Sequence, residues 1–455
     1  MNKAINNVLF VGLMVLVVLS PLPIGSNRPW SWSLCALVIA LLTAAWAIVN
    51  IGKKGQVSRM PPAVLAGLFA LASIWALIQM APFIAQTWKH PLWLMASETL
   101  GESLPGSISL ASEDGLTALM RLLSYALVFI LTYQLCSDRM RALSAFFWIT
   151  IAGLVYAVFG LYSYWGGYHP EWLFGAKVLP HDVRSTFINR NHFATWQGLT
   201  LLCAMAWFYQ YMARPVVKPY FVPQDRGARV EEFIMQAWKP LIAVLLMVTA
   251  LVLTHSRGGF TSALAGTVVL LMLLDRRGSA RKGLSRVTVI AALVVASISF
   301  YLTSEVLLDR IEHTDITSEE RLIVFANVNR GIADNPALGF GYGTFSDSFR
   351  LYDNYESPYH YDRAHNTWLE DAFELGLPAA LALYLALAGL ALVCWNGVSR
   401  RHRDWVYPAT GVAASVLVGV HATVDFSLQL PAVAILYTCI MGVACAQSYS
   451  SASQT

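Results

Sequence analysis

A chain of 455 residues that is 56% hydrophobic and only 13% charged cannot clothe a soluble globule in polar surface, so most of it must face lipid. Its net charge of +4 is the sum of two opposed biases along the chain and gives no sign of nucleic-acid binding. The six cysteines fall in or at the ends of apolar runs without any C-x-x-C pair, so neither a disulfide framework nor a zinc site is indicated.

Apolar runs long enough to cross a bilayer recur about twelve times, at roughly 6–21, 31–50, 62–81, 116–136, 142–166, 191–212, 239–255, 259–274, 287–303, 367–395, 406–424 and 428–447. The first ends in Pro21-Leu22-Pro23 with no small-residue cleavage signature, so it reads as an uncleaved span. With the N-terminus inside, 19 of the 31 basic residues but only six of the 27 acids fall on the inner side. That bias supports an even span count. The expected fold is an all-α polytopic membrane protein of about twelve transmembrane helices. It forms a single membrane domain over 1–455, with a large periplasmic loop at 304–366 that carries short helices.

Along the chain, residues 1–81 are three spans with no chemistry of their own. The outer loop at 82–115, with Trp88 and Trp93, is long enough to fold over the outer face. Arg121 lies a short way into the next span; it either snorkels to the outer surface or holds a lipid phosphate. The loop at 167–190 leads into Asn189-Arg190-Asn191-His192-Phe193-Ala194, which puts Arg190, Asn191 and His192 at the mouth of a span. The basic stretch at 213–238 is a solvated inner connection. Thr254-His255-Ser256-Arg257-Gly258-Gly259 then joins two consecutive spans by a turn of almost no length, holding Arg257 at the membrane surface.

The large outer loop opens with an acidic run from Glu305 to Glu320. Thr317-Ser318-Glu319-Glu320 is a capping-box pattern, expected to start a helix to about Ala333. Such a helix presents Arg321 at its start and Leu322, Phe325, Val328 and Ile332 on one face. Gly339-Phe340-Gly341-Tyr342-Gly343 follows no strand, so it reads as a permissive turn and not a nucleotide fingerprint. A second capping box, Thr367 with Glu370, starts the next span and leaves His365 just before a helix. The positive end of that helix favours a neutral imidazole, which suits a general base. His421 and Asp425, four apart, are expected to share one helical face as a structural hydrogen-bonded pair.

Arginines at fixed positions suit a diphosphate, because the planar fork binds phosphate oxygens in pairs. A histidine beside them can take a proton from an attacking hydroxyl. Tyr352, Tyr355, Tyr359 and Tyr361 offer faces on which sugars stack, or serve as interfacial anchors. The absence of D-x-D lowers the case for a metal-dependent sugar-nucleotide transferase, and no P-loop supports ATP-driven transport.

On the ordered set Asn189-Arg190-Asn191-His192-Phe193-Ala194, Ser256-Arg257-Gly258, Asn335-Pro336 with Gly339-Phe340-Gly341, and His365-Asn366, the chain resembles the O-antigen ligase and polymerase superfamily of bacterial inner-membrane glycan transferases. The resemblance covers roughly residues 185–445. It implies an undecaprenyl-diphosphate-linked glycan donor, a glycan or lipid-core acceptor, and metal-independent inverting transfer without a cofactor on the periplasmic side. By position it makes His365 the base and sets Arg190 and Arg257 toward the diphosphate; Asn191, His192 and Arg321 complete the expected substrate-binding set. Ligases, polymerases and protein glycosyltransferases share these motifs. The alternative from another class is a flippase or exporter of lipid-linked sugar. That predicts polar residues deep in several spans, whereas charge here gathers at the outer ends.

Overall fold

The computed structural model describes residues 2–51, 61–167, 182–213, 226–277, 318–353 and 361–449, and among these every regular element is helical. In chain order they are α1 (Asn2–Leu19), α2 (Pro29–Asn50), α3 (Ala63–Met80), α4 (Pro91–Leu100), α5 (Ser112–Leu135), α6 (Arg139–Gly166) and α7 (Arg190–Ala213). There follow α8 (Arg226–Val252), α9 (Arg257–Arg277), α10 (Ser318–Asp334), the single turn α11 (Phe345–Ser348), α12 (Thr367–Leu375), α13 (Leu377–Arg400), α14 (Val406–His421) and α15 (Pro431–Ala446). The expected span at 287–303, the acidic run as far as residue 317, and Tyr355 and Tyr359 lie outside the described residues.

Among the described residues, six helices (α2, α3, α5, α6, α9 and α13) are long and apolar enough to cross a bilayer. The apolar lengths of α1, α8, α14 and α15 are shorter. For the last two, burial explains why. Helices α14 and α15 have 16 residues each, and most of both are buried against protein. Their rise is ~24 Å, short of the ~30 Å hydrocarbon core, and a helix enclosed by others has no lipid thickness to match. Helix α7 is enclosed in the same way, with Phe193, Trp196, Gln197, Leu199, Leu202 and Cys203 all buried, so it tolerates polar residues that a lipid-facing span would not. At the rim, α2 exposes Leu34, Leu37, Leu41 and Ile48 as one apolar stripe, the reverse of a soluble helix.

Neighbours within the bundle include α9 on α14, α15 on α5, α6 on α7, and α13 on α3. One end is basic and tied by side chains: Arg139 bonds Asp404 at 2.8 Å, and Arg401 donates to the Tyr449 carbonyl. At the other end lie the described parts of the large loop. Val324, Val328, Phe340, Phe345, Phe349, Ala364 and Phe373 form a small apolar core there, with Phe340 stacked on Phe373 at 4.5 Å. Gln79, fully buried at the end of α3, fastens this layer to the bundle. Its amide donates to the Leu338 and Glu374 carbonyls and accepts from the Tyr342 N–H.

Three local expectations need correction. The run at 367–395 is not one helix: it breaks between α12 and α13 at Gly376, whose φ of 76° is open to glycine and whose added Cβ would lie 2.5 Å from the Ala337 carbonyl oxygen. The cap of α12 is Asn366, which accepts from the Leu369 N–H at 3.1 Å, and Glu370 is spent elsewhere. On α10 the buried stripe is Val324, Val328 and Gly331, and Leu322 is exposed. The turn reading of 339–343 holds: Gly339, Gly341 and Gly343 all have positive φ, and a Cβ on Gly339 would strike the Glu374 carbonyl.

Candidate active site

His365 stands immediately before the Asn366 cap, on a backbone with φ of 52° that non-glycine residues seldom adopt. Bonds on both sides over-determine that conformation. The Ala364 N–H donates to Glu370 at 2.8 Å; beyond the histidine, Asn366 donates to the Thr423 carbonyl, the Thr367 N–H to the Ala422 carbonyl, and the Thr367 hydroxyl to the Asp425 carbonyl. The start of α12 is thereby stapled to the turn that follows α14. The result presents His365 Nδ1 to Asp425 Oδ1 at 3.6 Å, an ion-pair separation longer than a hydrogen bond. The imidazole is 31% exposed while Asp425 is 1% exposed.

Asp425 was expected to pair with His421 on one helix face. Instead α14 ends at His421, and Asp425 lies beyond it with its N–H on the His421 carbonyl and its side chain turned to His365. Both His421 ring nitrogens are buried without a hydrogen-bond partner. Burial works to raise the Asp425 carboxyl, but His365, His192, His421 and the Phe426 N–H outweigh it and hold the group well below the usual carboxylate range. The Phe426 ring is the hub of the arrangement. His365 meets it edge-on at 5.1 Å, His192 at 4.8 Å, and the Arg363 guanidinium lies 6.0 Å from its centroid. Arg363 bonds Glu370 at 2.9 Å, and Gln429 donates to the same carboxylate oxygen.

A second layer joins the N-termini of α7 and α9. Asn189 caps α7 by accepting from the Asn191 N–H at 2.8 Å, and Ser256 caps α9 by accepting from the Gly259 N–H at 3.1 Å. Each cap is followed by an arginine, so Arg190 and Arg257 both begin helices whose positive ends favour anions. The Ser256 hydroxyl also donates to Asn191 at 2.7 Å, locking the two helix starts together. Gly259 permits the approach, since a Cβ there would fall 2.4 Å from Ala194. Arg190 donates through Nη1 to both oxygens of the buried Asp182, at 3.1 and 3.2 Å, and Arg184 and His255 crowd the same carboxylate. Arg257 is exposed and has no carboxylate partner among the described residues.

The structure thus gathers His192 and His365 around Phe426, and Arg190, Asn191 and Arg257 around the two helix starts. Gly258, at the start of α9, packs against the end of α14 and the turn after it: a Cβ on it would sit 2.9 Å from Val424 and 3.8 Å from His421. Arg321 lies in the first turn of α10, and its side chain is outside the described residues. Tyr352 and Tyr361 serve the small loop core, Tyr352 through a 3.0 Å bond to Asp334 and Tyr361 edge-on to Phe349. Among the described residues no cluster of histidine, cysteine and carboxylate side chains is arranged to hold a metal ion. Sequence reasoning missed Asp425 as the partner of His365 and Glu370 as the anchor of Arg363. The i,i+3 and i,i+4 spacings that drew attention to both acids pointed at the wrong partners.

Residues 242–384 match the family model described as O-antigen ligase. The matched stretch takes in Arg257, Arg321 and His365, and leaves Arg190, Asn191, His192 and Asp425 outside it. No curated protein matches the chain.

Proposed function

The chain is a multi-pass membrane protein that carries an O-antigen ligase family domain, and on that premise we propose that it transfers a glycan from an undecaprenyl-diphosphate-linked donor to the hydroxyl of a glycan or lipid-core acceptor. The reaction takes place on the periplasmic side of the bacterial inner membrane. The acceptor oxygen forms its bond to the anomeric carbon while its proton passes to His365. The bond from that carbon to the diphosphate oxygen breaks, and the electron pair leaves on the diphosphate. Attack from the opposite face inverts the centre, and no metal takes part. Arg257 and Arg190, each at a helix start, neutralise the departing charge, with Asn191, His192 and Arg321 lining the substrate path. Diphosphate is a good leaving group, so neutralisation matters more than protonation of the leaving oxygen.

The observation that carries this reading is the pairing of His365 with Asp425. A buried carboxylate facing Nδ1 favours the tautomer protonated there and leaves Nε2 as the basic nitrogen. It also stabilises the imidazolium that proton transfer creates. The test is the glycan profile of cells lacking the protein, complemented with wild type or His365→Ala at matched expression. Loss of transfer with His365→Ala supports the base assignment. Single repeat units accumulating on carrier or core indicate a polymerase, and long chains stranded on the carrier indicate a ligase. A wild-type profile with His365→Ala removes the base assignment and favours export of lipid-linked sugar instead.

A further inference from the structure

A cavity of about 590 Å³ lies between α3, α5, α13 and α15, a size typical of ligand sites, ~300–1,000 Å³. Its long wall is hydrocarbon, with Phe69, Leu122, Phe129, Leu387, Leu390 and Met441 among the lining side chains. One end is polar and presents Arg121, Arg363, Gln429, Tyr342, Asp371 and Glu374. Arg121 and Ile130 both line it from α5, so it runs at least ~13 Å along that helix from the polar end.

The charges at the polar end do not balance among themselves. Both Glu370 oxygens are taken, one by Arg363 and Gln429 and the other by the Ala364 N–H. Both Glu374 oxygens accept backbone N–H groups, from Phe345 and Gly343. Burial, reinforced by Glu374 and Glu370, pushes the Asp371 carboxyl well above the usual carboxylate range. Arg121 has no carboxylate within reach among the described residues. Its guanidinium lies over Trp32 at 5.0 Å, near the start of α2, and its buried Nε lacks an acceptor. A cation in an apolar cavity without an anion is costly, and a guanidinium fork matches phosphate oxygens in pairs.

We propose that this cavity holds the isoprenoid chain of the donor, with the phosphate next to the chain bound by Arg121 and Arg363; the assignment rests on the transfer function proposed above. Arg363 makes the connection to the chemistry, because it shares the Phe426 ring with His365 and lies two residues before it. The sugar-side phosphate then faces His365 and the helix starts that carry Arg257 and Arg190. Arg190, already engaged by Asp182, contributes less charge to the donor than its position in the chain suggests.

The experiment uses the full chain in nanodiscs of zwitterionic phosphatidylcholine, probed with undecaprenyl diphosphate that bears no sugar. Competitors are a short-chain isoprenyl diphosphate and phosphatidylglycerol. Wild type is expected to bind undecaprenyl diphosphate at least tenfold tighter than either. Arg121→Gln is expected to lose about tenfold, the size of one charge-assisted phosphate contact, with Arg121→Lys recovering part of it. Ala126→Phe, which fills the wall, should abolish the preference for the long chain while leaving the short one bound as before. Equal competition by phosphatidylglycerol, or full binding by Arg121→Gln in a folded sample of wild-type thermal stability, overturns the proposal and makes the occupant an ordinary bilayer lipid. His365→Ala separates the two readings: undiminished lipid binding with no transfer supports both. Undiminished transfer together with lost binding in Arg121→Gln removes the general-base role and leaves the lipid site standing.

Discussion

Asp425→Asn isolates the electrostatic part of the proposed mechanism. The substitution is isosteric, and the amide oxygen can still accept the Phe426 N–H that Asp425 accepts at 2.8 Å. What disappears is one negative charge 3.6 Å from His365 Nδ1. At that separation a unit pair is worth ~4.6 kcal/mol for an effective dielectric of ~20 and ~1.2 kcal/mol in bulk water. His365 is about a third exposed, so solvent screening brings the expected value to ~2 kcal/mol. If that stabilisation is felt by the imidazolium formed in the transition state, kcat falls ~30-fold. The KM for donor should stay within twofold, because Asp425 is buried behind the histidine and touches no substrate. The assay is transfer from a purified lipid-linked glycan in nanodiscs at pH 7, with kcat and KM separated. Wild-type kcat in Asp425→Asn would refute the coupling, and an unchanged kcat with a raised KM would reassign Asp425 to substrate binding. Stability supplies an independent check. The folded carboxyl lies below its ordinary range, so its stabilising contribution is present above ~pH 3.9 and lost as pH falls below that value. The thermal-stability gap between wild type and Asp425→Asn should therefore close as pH falls below ~3.9.

Glu370→Gln should lower stability by ~3 kcal/mol, the lower part of the range for breaking a buried pair, since Arg363 keeps partial solvent contact; thermal unfolding in detergent measures it, and a loss under ~1 kcal/mol contradicts the anchoring role. Gly376→Ala forces a Cβ to 2.5 Å from the Ala337 carbonyl on a positive-φ backbone, and should cost at least ~1–3 kcal/mol. Gly67→Ala, with nothing within 4 Å, should be neutral or stabilising by ~0.5–1 kcal/mol on the same unfolding assay. Gln79→Leu removes three bonds that hold the loop layer to α3 and should cost ~2–3 kcal/mol, with faster proteolysis at 338–345 as the local readout. Protection equal to wild type would show that the apolar core around Phe373 suffices to hold the layer.

The sequence by itself determined the membrane character of this protein, because hydrocarbon demands long apolar runs wherever a helix faces it and the composition leaves no other solvent for them. It also determined two helix starts: Asn189-Arg190 and Ser256-Arg257 are cap-then-arginine pairs whose local geometry depends on residues a turn away. His365 before a helix was legible for the same local reason. Only the tertiary structure decided which charges meet. His365 and Asp425 are sixty residues apart, and no periodicity connects them; the staples from Asn366 and Thr367 to the turn after α14 do. The same holds for the break at Gly376, set by a carbonyl on a different segment, and for the enclosed α7, α14 and α15, whose shortness or polarity is permitted by neighbours and not by lipid. Arg121 shows the division most plainly. From the chain alone it either snorkels or holds a lipid phosphate, and the proposed phosphate role rests on the lack of a carboxylate near it among the described residues and on the apolar cavity beside it, both properties of four packed helices.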